Sequence, residues 1–133
     1  AMMKAGLLSH MDQLLGEYFS AKDSRITVEA LSEIARIAGE SGAKSLFLYT
    51  TAQAQIIADG EVTQPRSFHV LQEASKRSDA LLINTVPLLQ AHPERMQLYY
   101  PLDGHWTATG HRVISGILTD TIIKEELLIN TGI

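Results

Sequence analysis

Apolar positions near the start of the chain fall at helical spacing: Leu7, Leu8, Met11, Leu14, Leu15 and Tyr18. A stripe that recurs every three or four residues gives an α-helix one face to bury, so residues 2–19 read as an amphipathic helix. The polar run Ala21-Lys22-Asp23-Ser24 interrupts the stripe and predicts a break. Thr27 is the expected N-cap of a second helix, because its hydroxyl can accept a backbone N–H of the following turn. That helix is expected to run to about Gly39, with Val28, Leu31, Ile34, Ala35 and Ala38 on one face and Gly42 as its stop.

The pattern then changes. Ser45-Leu46-Phe47-Leu48-Tyr49-Thr50 is a short continuous apolar run after a glycine, which suits a strand covered on both faces of a parallel sheet. A loop over residues 51–64 has room for one helical turn near Ala54–Ala58. Pro65 fits the first turn of the next helix, which presents Phe68, Val70, Leu71 and Ala74 and ends near Ser78. Ala80-Leu81-Leu82-Ile83-Asn84 repeats the strand signal. Pro87-Leu88-Leu89 opens a short helix broken at His92-Pro93, residues 97–106 are extended or loop, and Thr107 caps a last helix to about Leu128. Its inward positions are Val113, Ile114, Ile117, Leu118, Thr121 and Ile122. Strands alternating with helices imply βαβ units and a parallel sheet, with a right-handed crossover. No repeat, low-complexity stretch or linker divides the chain, so residues 1–133 are expected to form one domain.

Composition narrows the chemistry. The 133 residues carry a formal net charge of -4 and contain no Lys/Arg run, so a nucleic-acid partner is not expected. The absence of cysteine excludes disulfides, zinc–thiolate sites and a thiol nucleophile. No stretch reaches the ~18 apolar residues of a membrane span. The opening Ala1-Met2-Met3-Lys4 resembles a tag remnant ahead of a methionine, and Ser9, His10 and Asp12 spoil the following stretch as a signal peptide. The expected protein is soluble, with cytoplasmic and exported locations both open.

The string with the most chemistry is Tyr99-Tyr100-Pro101-Leu102-Asp103-Gly104-His105-Trp106-Thr107-Ala108-Thr109-Gly110-His111. It passes from a loop into a helix. Asp103 and His105 are two apart, and in extended backbone such residues point to the same side. A carboxylate there can fix an imidazole tautomer and stabilise its protonated form, as in serine-hydrolase triads. The simpler alternative is a loop carboxylate capping a helix, with an exposed histidine beside it. Tyr100 and Trp106 are candidates to line a substrate cleft, although a Tyr99-Tyr100 pair more often sends one ring inward and one outward, and Trp106 equally suits the core. Gly110, early in the helix, permits close packing against a strand. His111 could join Asp103 and His105 around a metal, but its spacing from His105 is not a recognised ligand pattern, and no metal is expected. Lys76-Arg77 suits a helix C-terminus. Ser45 and Ser115 lack the strained turn of a nucleophile, and Asp120, Glu125 and Glu126 read as solvated helix charges. Met2, Met3 and Met11 read as packing residues.

The block Asp103-Gly104-His105-Trp106-Thr107-Ala108-Thr109-Gly110-His111, followed by Val113-Ile114-Ser115-Gly116-Ile117-Leu118, resembles the last conserved block of the SGNH (GDSL) hydrolase superfamily. It is most similar to the subgroup related to alginate O-acetylation proteins, with its Asp-x-His-Trp-x-x-x-Gly. The strand Leu46–Tyr49 fits that family's order, as does Leu81-Leu82-Ile83-Asn84-Thr85-Val86-Pro87, with Asn84 where the family often has Asp. The resemblance covers roughly residues 27–124. It implies that Asp103 is the orienting acid and His105 the general base of a Ser-His-Asp triad, with no metal or organic cofactor. It also implies a three-layer, flavodoxin-like α/β fold. The family's Gly-Asp-Ser and Gly-x-Asn-Asp strings do not occur in this sequence. Asp23-Ser24 lacks the preceding glycine and follows a helical segment. The expectation is therefore the C-terminal portion of such a domain, a partial fold with a short parallel sheet.

The function expected from the resemblance is that of an acyl-ester hydrolase or O-acyltransferase acting on an acyl ester or acetylated carbohydrate. The alternative is a non-catalytic dimerisation or carbohydrate-binding module derived from the same fold. The two apolar strands, with few neighbours, and the helix 2–19 also predict a homo-oligomer, in the first instance a two-fold dimer.

Overall fold

A computed structural model of the chain describes residues 21–58 and 65–127. The helix expected over 2–19 lies outside them. In order, the elements are α1 (Ala21–Glu40), β1 (Leu46–Tyr49), α2 (Gln53–Ile57), α3 (Arg66–Ser78), β2 (Leu81–Asn84), α4 (Val86–Gln90), a 3-10 turn (Arg95–Gln97) and α5 (Ala108–Lys124). The fold is mixed α/β and mostly helical. β1 and β2 form a two-stranded parallel sheet in the register Leu46–Leu81, Phe47–Leu82, Leu48–Ile83 and Tyr49–Asn84. Both strands stand where the apolar runs place them, and α3 is the crossover between them.

Three expectations are corrected along α1. The run Ala21–Ser24 is already helical, because a polar segment ends an apolar stripe without ending a helix. Thr27 is consequently not a cap. It sits inside α1 and its Oγ1 donates to the Asp23 carbonyl, 2.9 Å away, four residues back. Ile34 is not inward: it is 60% exposed, beside Ile26 and Ile37 on the same side of the helix, while Val28 and Ala35 are buried. The neighbour that decides this is α3, the element against which α1 chiefly packs. The stop is as read. Gly42 has φ +78°, and the Ala43 and Gly42 amides return to the Ala38 and Gly39 carbonyls at 2.9 Å, the pairing of a Schellman turn.

Smaller differences follow the same logic. Pro65 occupies the N-cap of α3, one residue before the first turn. α5 ends at Lys124 instead of about Leu128, because the Leu127 and Glu126 amides fold back on Ile122 and Ile123 and force Glu126 to φ +49°. The strands are less enclosed than continuous apolar runs suggest, since Leu46, Phe47, Leu81 and Leu82 are only half-buried.

The core gathers around the carboxyl ends of the strands: Tyr49, Ile56, Phe68, Val86, Leu89, Leu98, Tyr99 and Ile114. Tyr49 and Phe68 meet edge-to-face with ring centroids 5.1 Å apart. Ile56, Leu89 and Leu98 are fully buried, each stabilising by roughly 1.5–3 kcal/mol. Thr85 is also fully buried, and both its amide and its hydroxyl donate to the Tyr49 carbonyl, the hydroxyl at 2.7 Å. This locks the two strand ends together. α5 starts beside the 3-10 turn, and the turn that closes it reaches Glu126, whose carbonyl accepts from Lys44 Nζ just before β1. It therefore returns from the carboxyl to the amino end of the sheet.

Candidate functional site

The Asp103/His105 segment is a small antiparallel hairpin. Tyr99 bridges Trp106 across it, and the Tyr100 amide donates to the His105 carbonyl at 2.9 Å. Gly104 makes the reversal at φ +69°, a region open to glycine and strained for other residues. The hairpin is tied to the strand end from below. Tyr99 is buried, and its phenol donates to the carbonyl of Thr51, two residues past β1, at 2.9 Å. Burial raises the pKa of that phenol, and a hydrogen-bonding contribution from Trp106 acts in the opposite direction.

Its second anchor is the start of α5. Thr107 is the expected N-cap: its Oγ1 accepts from the Gly110 amide at 3.1 Å and donates to the Gln97 carbonyl at 2.6 Å. The Thr107 amide adds a bond to the Leu98 carbonyl at 3.0 Å. Gly110 is what lets the helix come this close, because a Cβ there would overlap the Leu98 carbonyl oxygen. The close packing expected of Gly110 is real but its partner is corrected: it lies against the backbone that follows the 3-10 turn and not against a strand, because α5 begins beside that turn.

On this platform Asp103 and His105 point to the same side. Asp103 Oδ1 accepts from the His105 amide at 2.9 Å and lies 3.5 Å from His105 Nδ1. The carboxylate is thus fixed by a backbone bond, and it stands near, but not hydrogen-bonded to, the ring nitrogen that an orienting acid would hold. The side chains are 57% and 83% exposed respectively, so water screens the pair.

Tyr100 and Trp106 separate. Tyr100 is 51% exposed, whereas Trp106 is half-buried against the core and meets His111 edge-on with centroids 5.4 Å apart. Among the described residues no three His, Asp or Glu side chains gather closely enough to hold a metal ion. No family model, no curated protein and no solved structure matches this chain.

The serines lie elsewhere. Ser45 precedes β1, and its carbonyl accepts from Leu81, at the end of the sheet opposite the hairpin anchor. Ser115 is exposed on α5. Ser24 lies in the groove between α1 and α3. The sequence reading missed the anchoring role of Tyr99 and of the Thr51, Gln97 and Leu98 carbonyls. Backbone acceptors leave no sequence signal, and the aromatic doublet marked Tyr99 only as half of a pair. Among the described residues no helix is long and apolar enough to cross a membrane.

Proposed function

We propose that this chain is the C-terminal portion of an SGNH-type acyl-ester hydrolase or O-acyltransferase domain, with a three-layer, flavodoxin-like α/β architecture when complete. Asp103 is its orienting acid and His105 its general base. The observation that supports this reading is the 3.5 Å approach of Asp103 Oδ1 to His105 Nδ1 on a hairpin anchored at the carboxyl end of a parallel strand pair. In open α/β sheets that end is where sites collect. The nucleophile would be a serine whose proton His105 accepts during attack on an acyl ester. The substrate is an acyl ester or acetylated carbohydrate, with Tyr100 and Trp106 as candidate contacts and no cofactor required.

The test is p-nitrophenyl acetate turnover by the chain alone and by the chain joined to whatever its gene encodes upstream, each with and without His105→Ala. The chain alone is expected to show little turnover. The extended protein is expected to lose at least about a thousandfold on His105→Ala, the scale of losing a triad base. Turnover indifferent to His105 in both forms overturns the reading.

The 83% exposure of the His105 side chain favours a second reading. In it the chain is a non-catalytic module for dimerisation or carbohydrate binding, and the exposed ring of Tyr100 is the natural sugar contact. A two-fold dimer belongs to either reading, since the described sheet has only two strands and α1 leaves Ile26, Ile34 and Ile37 exposed. Light scattering at micromolar concentration checks this: a mass near twice 14.6 kDa is expected, and a monodisperse monomer refutes it.

A further inference from the structure

The hairpin that carries Asp103 and His105 holds a second chemistry, in its own backbone. Asp103 is followed by Gly104, which makes the reversal at φ +69°. The side chain of an aspartate can be attacked by the amide nitrogen of the next residue, which closes a cyclic imide. Glycine favours this step because it has no Cβ to hinder the approach. Among the described residues Asp103 is the one aspartate that precedes a glycine. Asp23 and Asp120 lie inside α1 and α5, where the helix fixes the following amide. Asp79 ends α3 and precedes Ala80, which is buried and carries a Cβ.

Three features of the folded hairpin favour the same step. Asp103 Oδ1 accepts from the His105 amide at 2.9 Å. That bond closes a ring of atoms which includes the Gly104 nitrogen, so it folds Cγ back towards the atom that attacks it. It also puts a fixed donor on the oxygen where negative charge develops as the nitrogen adds to Cγ, the arrangement that stabilises an oxyanion. His105 Nδ1 stands 3.5 Å from that oxygen and adds positive charge there when the ring is protonated. The third feature is openness. The Asp103 side chain is more than half exposed, and a Cβ built on Gly104 would meet nothing within 4 Å, so water reaches the turn freely.

We propose that the Asp103–Gly104 peptide is a site of spontaneous backbone isomerisation, and that the folded hairpin promotes it. The Gly104 nitrogen bonds to Cγ of the protonated Asp103 carboxyl. The Cγ–Oδ2 bond breaks, and Oδ2 leaves as water with its own proton and the one released by the nitrogen. Water then reopens the imide. Addition at Cγ restores aspartate, whereas addition at the former main-chain carbonyl gives isoaspartate, in which the chain runs through Cβ. No oxidant, reductant or enzyme is required. The main chain gains one carbon at the reversal, and the free carboxylate now sits directly on Cα. It is thereby withdrawn from the His105 amide that holds it in the unmodified hairpin. The reaction is independent of whether His105 acts as a general base.

The experiment ages the purified chain for several weeks at body temperature and mildly acidic pH. Proteolytic peptides are then mapped by electron-transfer mass spectrometry, which separates isoaspartate from aspartate and finds the imide as a peptide lighter by one water. Mapping also separates Asp103 from Asp59, the other aspartate that precedes a glycine, which lies outside the described residues. Isoaspartate and imide at position 103 are expected to accumulate at least about tenfold faster than at Asp23, Asp79 or Asp120, and at least about twofold faster than in a synthetic peptide of residues 99–107. In Asp103→Glu, whose carboxyl carbon is one bond further from the Gly104 nitrogen, both products at position 103 should vanish. Equal rates at the other three aspartates, or products that persist in Asp103→Glu, overturn the site. A folded chain that reacts no faster than the peptide overturns promotion by the hairpin.

Discussion

Gly110→Ala is the most direct probe of how the hairpin is held. In most exposed helix positions this change stabilises by about 1 kcal/mol, because alanine loses less backbone entropy. At Gly110 the added Cβ would overlap the Leu98 carbonyl oxygen and stand 3.0 Å from Trp106 Cβ and 3.1 Å from the Leu98 carbonyl carbon. The obstacle is backbone, so no side chain can rotate away. The start of α5 must move off the Leu98 segment. That stretches the Thr107 amide bond to Leu98 and the Thr107 hydroxyl bond to Gln97, each contributing about 1 kcal/mol, and opens the packing around Trp106 at a cost of about 1–3 kcal/mol. Set against the propensity gain, the net expectation is a loss of at least about 2 kcal/mol. Urea unfolding followed by circular dichroism would show this as a midpoint lowered by at least about 1 M, for a slope of about 2 kcal/mol per M. Gly116→Ala is the internal control, on the same helix with nothing within 4 Å of the place its added methyl would occupy, and should raise the midpoint. A Gly110→Ala protein as stable as its parent, or a pair of variants that move together, would refute the close-approach argument and with it this account of how Asp103 and His105 are positioned.

Two further outcomes follow from the backbone and from burial. Glu126 closes the α5 turn at φ +49°, a conformation that costs a residue bearing a Cβ about 1 kcal/mol, so Glu126→Gly should stabilise by about that amount; thermal unfolding showing no gain would count against the turn. Tyr99→Phe removes the bond to the Thr51 carbonyl and should cost about 1 kcal/mol. It should also change the alkaline limb of the stability profile. The Tyr99 pKa is raised in the folded state by burial, so its contribution is complete below the ordinary tyrosine value of about 10 and is lost as pH rises through the folded value. Urea midpoints measured from pH 8 upward should fall less steeply in Tyr99→Phe than in the parent, and parallel profiles would contradict the burial argument.

Helical spacing was enough to locate α3 and the inward face of α5, and short continuous apolar runs to locate β1 and β2, because both are properties of the chain that any packing must respect. Gly42 and Thr107 were legible for a similar reason: a left-handed stop and a hydroxyl cap are satisfied within a few residues of themselves. Asp103 and His105 were also legible as neighbours, since the backbone bond that joins them spans only two residues. What the sequence could not decide was which apolar side chain meets a neighbour. Ile34 looks as inward as Leu31 until α3 is placed on one side of α1 and leaves Ile26, Ile34 and Ile37 on another. Nor could it show that Tyr99 reaches Thr51, that Gly110 lies on Leu98, or that Ser24 lies in the groove between α1 and α3. Each of those depends on the relative placement of segments distant along the chain or on the way a loop folds back against a helix. Local propensity and spacing act over about one helical turn, whereas such placement is set by the collective packing of the core.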